Sequence, residues 1–505
     1  MRGPPGSRIP HATRHPVATR RDNKHPFAYG LLLLLAALFL PPASQADTTS
    51  RTPPLPALGE SSSRALTIEQ ERRLGRDALN EIHRKLPVLQ DPLSNAYLSG
   101  LGEQLLTNTQ QHVRFRFEFL IINAPEINAF AAPGGVIAVN TGLIKAANNE
   151  AELAAVIAHE IAHVTQRHIA RTLDHSAQLG VPSLLVALGA ILAGIHDPAL
   201  GQAALASTIA GNAQSQLNFS RAYEREADEI GMQTLADTGL DPTAMAGFFA
   251  ELSKRSHTDE NTLPSLLLTH PVTSDRIAES STRSAQYHGD YRRNSLRFSL
   301  FKARIIALTE PPEQVIARLT RSPNAAENPA QRYREAIALS RAGRNDEAIT
   351  LLEALHQAHP KSEMLTISLA QVLTSARRAD LAVKLLRHLD ALYPEQTLVI
   401  TSLARALLAS GNAKAAYALL TQHMRGRQNR ADVLHLLAEA AAASGNSIAS
   451  HEALAQYYVE LGEYTPAAQQ IEIALQQHPI DHTTRARLIA EKTRIAQQAK
   501  LDAME

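Results

Sequence analysis

The sequence predicts a mainly α-helical chain: a helical domain around a small β-sheet, followed by an all-α solenoid of stacked helix pairs. Three patterns predict it. Val113, Phe115, Phe117, Phe119 and Ile121 alternate with Arg114, Arg116 and Glu118, the period of a half-buried strand. Leu153, Ala154, Val156, Ile157, Ile161 and Val164 recur as the apolar body of a buried helix. Ala336, Ala370, Ala404 and Ala438 stand 34 residues apart, the period of a repeat array.

The 505 residues exceed one compact core, so at least two domains are expected. Hydrophobic residues make up 44% and charged residues 20%, a globular composition. The net charge of +1 is unevenly placed: residues 1–46 hold six Lys/Arg and one Asp, leaving 44 basic against 48 acidic residues elsewhere. A mildly acidic body argues against a dedicated nucleic-acid binder. The absence of cysteine excludes disulfide scaffolds, thiolate metal sites, cysteine nucleophiles and a lipobox.

Residues 1–46 read as an export signal. Arg2 to Lys24 supply a basic region, Leu31–Leu40 an apolar run, and Ser44-Gln45-Ala46 a small-residue cleavage site before Asp47. The apolar run is about half of the roughly twenty residues that a membrane span needs. A periplasmic destination follows, with cleavage after Ala46. Residues 47–65, rich in Ser, Thr and Pro, form a tether.

The first domain is expected over 66–320. It opens with helices around Leu74, Ala78 and Ile82 and near Leu93–Leu106, then the alternating strand. Pro133-Gly134-Gly135 is a tight turn before a second strand, Val136–Val139. A long helix runs from about Glu150 past His168. Val181–Ile195 is apolar but interrupted by Pro182 and two glycines, which suits a loop or hairpin over the site; 181–211 is a candidate for peripheral membrane contact. A further helix spans about Arg221–Thr238, stopped by Gly239 and Pro242.

His159-Glu160-Ile161-Ala162-His163 carries chemistry. Histidines four apart share a helix face and can reach one zinc ion, while Glu160, offset about 100°, can hold water there without ligating the metal. A third protein ligand is needed, with a fourth position left open. His168 lies five positions beyond His163, about 140° around a continuous helix, and reads as a surface residue. Glu224 and Asp228 share a face of the later helix. Glu224 can bind zinc while Asp228 accepts from a ligand imidazole; equally, such spacing occurs on any acidic helix, with Glu226 or Glu229 as solvated decoration. Proline at 271 biases His270 away from helix, onto a loop.

The motif His159–His163, followed by Phe219-Ser220-Arg221-Ala222-Tyr223-Glu224-Arg225-Glu226-Ala227-Asp228, resembles the M48 metallopeptidases. Asn128–Gly135 and His270-Pro271 with Arg276 extend the match, which covers about 66–285. The resemblance implies a gluzincin-like α+β zinc endopeptidase with one Zn2+ per chain. Glu224 is then the third metal ligand beside His159 and His163, Glu160 the general base and Asp228 the partner of a ligand imidazole. Asn128–Gly135 is implied to be an edge strand that pairs with extended substrate. His270 takes one of two roles: a neutral imidazole filling the fourth metal position and holding the enzyme latent, which we favour, or a protonated imidazole that stabilises the oxyanion, with Arg276 as the alternative stabiliser.

The second domain, expected over 326–495, repeats with tetratricopeptide spacing. Gly343, Gly411 and Gly445 share one register, with Arg377 in the fourth place; Ala348, Ala382 and Ala416 share another. A last unit with Ala455, Gly462, Ala467 and Pro479 restarts half a period out of step, so one helix is extra or the array bends. Solenoids offer a concave surface to partners. A secreted M48 domain joined to such repeats resembles proteases of the Gram-negative envelope. That implies chaperone-like and proteolytic action on unfolded outer-membrane proteins, and contact with the barrel assembly machinery through the repeats. The competing reading is a client-binding scaffold whose metal site is latent or structural.

Overall fold

The computed structural model describes residues 66–178, 213–258, 266–267, 270–321, 327–425 and 431–504. The expected signal, the tether and the apolar run 181–195 lie outside them, as does almost all of the interval expected to separate the two domains.

Helix α1 (Ile68–Lys85) opens with a capping box: Thr67 Oγ1 accepts from the Gln70 amide at 3.2 Å and the Gln70 side chain accepts from the Thr67 amide at 2.8 Å. Helix α2 (Pro92–Asn108) starts on Asp91, whose carboxylate accepts from the Ser94 amide at 2.9 Å. Three strands follow: β1 (Glu118–Ile122), β2 (Ala129–Ala132) and β3 (Val136–Asn140), in the order β1-β3-β2. β1 runs parallel to β3 and β2 antiparallel, which leaves β2 at an edge.

The strand expected from Val113 begins only at Glu118. Glu118 pairs with Val136, the first residue of β3, and the Pro133-Gly134-Gly135 turn precedes that residue. Residues upstream therefore have no ladder partner, and Val113 is exposed although Phe115 is buried. Gly134 has φ +78°, and a Cβ there would lie 2.6 Å from the Glu71 carbonyl of α1. Only glycine lets the helix backbone rest on this turn.

Helix α3 (Thr141–Ala146) leads to α4 (Glu150–Thr165), nearly all of whose residues are buried. The helix does not run past His168 as expected. It ends at Thr165, Arg167 adopts φ +55°, and α5 (His168–Gln178) restarts. The bend lets the buried Arg167 reach α1: Nε donates to Glu71 at 3.1 and 3.3 Å and Nη2 to the Leu66 carbonyl at 2.6 Å. A buried charge needs such partners, and a continuous helix would not deliver them.

Helix α6 (Ala213–Asp237) packs along α4, where Gly231 allows the approach: a Cβ would meet Met245 at 2.8 Å and the His159 amide nitrogen at 3.3 Å. Helix α7 (Thr243–Thr258) packs against α4 and α6, α8 (Ser274–Ser284) packs against α6 and α7, and α9 (Leu296–Thr309) and α10 (Pro312–Thr320) lead into the repeats.

The solenoid consists of α11 (Pro329–Arg341), α12 (Asn345–Ala358), α13 (Glu363–Ser375), α14 (Ala379–Leu392), α15 (Thr397–Ala409), α16 (Ala413–Met424), α17 (Ala431–Ala443), α18 (Ser447–Glu460), α19 (Tyr464–Leu475) and α20 (His482–Met504). The 34-residue alanines are buried where paired helices cross. Gly343, Gly411 and Gly445 turn with φ of +81°, +78° and +85°, and Arg377 takes φ +61° in the missing glycine's place. The half-period shift has a simple cause. Helix α18 serves twice: Ser450 packs on α17 and donates to the Ala438 carbonyl at 2.9 Å, while buried Ala455, in the same helix, packs in one cluster with Ala467 of α19.

One apolar core runs from Leu93 to Ala440, through both the sheet-bearing part and the solenoid. At their junction lies Arg304 of α9, 4% exposed. Its guanidinium donates to Asp91 at 2.8 and 2.7 Å, to Tyr333 Oη at 3.2 Å, to Ser368 Oγ at 3.3 Å and to Gln371 at 3.1 Å.

Candidate metal centre

Helix α4 presents His159 and His163 one turn apart, α6 presents Glu224, and the segment before α8 presents His270. One ligand atom from each of these four residues lies within 4.8 Å of the others. The Nε2 atoms of His159 and His163 are 3.0 Å apart, and Glu224 lies 3.5 Å from each. His270 Nδ1 is 3.2 Å from His159 Nε2 and 3.0 and 3.1 Å from the Glu224 carboxylate oxygens.

Charged neighbours hold this arrangement. Asp228 Oδ1 lies 2.9 Å from His159 Nδ1, a close electrostatic contact without hydrogen-bond alignment. Arg276 forks onto Asp228 at 2.6 and 2.7 Å, sends Nη1 to Glu224 at 2.8 Å and to the Pro271 carbonyl at 3.3 Å, and stacks on Phe249. Bidentate guanidinium–carboxylate pairing is strong and directional. Arg276 therefore faces the carboxylates, which suits positioning better than the oxyanion role the sequence left open.

The buried groups of the centre shift one another's charge in opposite directions. Burial alone would lower the His159 pKa, but Asp228 and Glu224 push it up to about 9. Burial would raise Glu224, yet His270 and His159 hold it well below the usual carboxylate range. Asp228 is likewise held low against burial by Arg276 and His159. Burial and the neighbouring His159 keep His163 far below the ordinary imidazole value.

Glu160 is buried beside the cluster, with Oε1 lacking any hydrogen-bond partner and lying 3.5 Å from His270 Nε2. A buried carboxylate oxygen without a donor needs an explanation, and water or a reacting proton supplies one. Beside it opens a recess lined by Val156, Phe248, Phe249, Leu266 and Val272. Converging imidazole nitrogens and carboxylate oxygens, ringed by further carboxylate, fit a divalent metal of zinc's ligand preference. Every site residue expected from the sequence thus meets in one place.

His168 does not lie on the surface. It is 3% exposed, with Nδ1 2.9 Å from His163 Nδ1, Nε2 3.4 Å from Glu226 and its ring stacked on Tyr223. The bend at Arg167 cancels the rotation that a continuous helix would impose. Glu226 is correspondingly not free decoration, since Arg171 also holds it at 2.9 Å. Only the repeated histidine itself hinted at this, without a spacing rule to place it.

Both parts of the chain resemble known proteins. Residues 92–284 match peptidase family M48 and residues 339–405 match the tetratricopeptide repeat. The chain is 34% identical to the beta-barrel assembly-enhancing protease of Yersinia pestis over 65% of this chain and 69% of that protein. It is 35% identical to the Escherichia coli protein of that name over 63% of this chain and 64% of the other. A solved tetratricopeptide repeat protein from Parabacteroides merdae is 9% identical over 48% of this chain and 98% of its own, with a TM-score of 0.28. With an M48 metallopeptidase domain followed by tetratricopeptide repeats, the chain belongs to the family of beta-barrel assembly-enhancing proteases.

Proposed function

We propose that this chain is a periplasmic zinc endopeptidase that degrades misfolded outer-membrane proteins and assists their assembly. His159, His163 and Glu224 hold one zinc ion, and the observation that carries the reading is the buried Glu160 oxygen, unsatisfied by any hydrogen bond, beside their convergent donor atoms. Zinc bound there supplies Lewis acidity toward a peptide carbonyl and makes an adjacent water more acidic. Glu160 takes the proton of that water and returns it to the leaving amine. Asp228 favours a proton on the facing His159 Nδ1 by its charge, and Arg276 holds both carboxylates in place. Edge strand β2, whose outer side pairs with no strand among the described residues, offers that side to an extended substrate.

One observation favours a latent state as the second reading. His270 Nδ1 stands 3.0 Å from Glu224, among the ligand atoms, which supports a role in taking the fourth position of a bound metal and excluding water. Movement of its loop then opens the site. The division into a signal over 1–46, a protease domain over 66–320 and a repeat domain over 326–495 belongs to this proposal. So does recruitment of outer-membrane clients and of the barrel assembly machinery by the concave face of the repeats. Among the described residues no helix is long and apolar enough to cross a membrane. Proteolysis of an unfolded outer-membrane protein by the zinc-loaded chain, absent in Glu160→Gln, tests the reading. Photo-crosslinking from the repeats in intact cells tests the partners; capture of no assembly component would remove that part.

A further inference from the structure

The two histidines of α4 are supported by different devices. His159 has a carboxylate at its Nδ1, backed by Arg276. His163 has another histidine at its Nδ1: His168, whose far nitrogen faces Glu226, itself held by Arg171. Proton bookkeeping along this second arm has one neutral solution. Glu226 as a carboxylate only accepts, so His168 Nε2 carries the hydrogen and its Nδ1 is a bare lone pair. That lone pair accepts from His163 Nδ1–H, which leaves His163 Nε2 bare and aimed at the cluster centre.

We infer that His168 is a positioning residue for the metal centre, a relay Glu226–His168–His163 that fixes the tautomer and the ring orientation of His163. It rests on the zinc reading above. The bend at Arg167 builds this relay, because it turns His168 back beneath His163, and the Tyr223 ring stacked on His168 at 4.4 Å fixes its plane. Tyr223 immediately precedes Glu224, so one segment of α6 braces the relay and supplies the carboxylate to the cluster.

The test measures zinc affinity of the full chain by competition with a chromogenic chelator, together with the His163 tautomer by 15N shifts in the metal-free protein. His168→Phe keeps the ring on Tyr223 but removes the acceptor; the expected loss of affinity is about 10–100-fold, the usual effect of deleting a partner of a metal-bound imidazole. His168→Asn, which restores an acceptor near Nδ1, recovers much of it. Glu226→Leu, at a partly exposed position, lowers affinity several-fold and serves if His168→Phe fails to fold. Wild-type affinity in both His168→Phe and Glu226→Leu, or no recovery in a folded His168→Asn, overturns the relay. Failure of the zinc reading looks different: the wild-type chain then binds no zinc, or His163→Ala binds it equally well.

Discussion

Asp228 Oδ1 stands 2.9 Å from His159 Nδ1, while the other oxygen of the same carboxylate takes the Nε proton of Arg276 at 2.6 Å. Asp228 thus ties one α4 histidine to a cation on α8. Asp228→Ala removes this tie without touching a ligand atom. Zinc affinity should fall by roughly 10–100-fold and binding should persist. Chelator competition reads this, and complete loss of zinc would make Asp228 a ligand.

His270 separates two mechanisms by the sign of one mutant. If its imidazole closes the fourth position, His270→Ala raises basal cleavage of an unfolded substrate several-fold with zinc content unchanged. The account expects that increase. A drop in turnover at equal zinc would instead give His270 the transition-state role.

Arg304 and Asp91 join parts of the chain 213 residues apart. Arg304→Met leaves a buried carboxylate without its cation, at a cost of about 3–5 kcal/mol. Asp91→Asn/Arg304→Met, which keeps the α2 cap and removes both charges, should cost less. The pair also sets a pH dependence. Burial would raise the Asp91 pKa, but the Arg304 guanidinium holds it below the usual carboxylate range. A lowered carboxyl pKa contributes stability that is full above the unfolded value and lost as pH falls through the folded one. Urea unfolding should therefore show the gap between wild type and double variant shrinking from pH 7 to pH 3. A gap independent of pH would contradict this.

What the sequence makes legible is what periodicity and local motif encode. The 34-residue register, the α4 body and the shared face of His159 and His163 follow from spacing on helices, whereas Glu224 is singled out from other acidic residues only by the resemblance to the M48 metallopeptidases. The misses arise where a distant partner decides. The first strand is shortened because β3 has no residue to pair before Val136. Helix α4 breaks because Arg167 finds Glu71, 96 residues earlier, and that break moves His168 from the expected surface into the metal centre's support. Arg304 reads as an ordinary cation in an amphipathic helix; its burial depends on three segments that meet only in the folded chain.

The central claim is that His159, His163 and Glu224 bind the metal while Glu160 acts only on the proton of the attacking water. Zinc content by atomic spectroscopy, measured beside proteolysis of an unfolded protein in Glu160→Gln and Glu224→Ala, tests it most directly. The account predicts one zinc per chain and no cleavage in Glu160→Gln, and little zinc in Glu224→Ala. Full zinc occupancy in Glu224→Ala, or undiminished cleavage by Glu160→Gln, would contradict it.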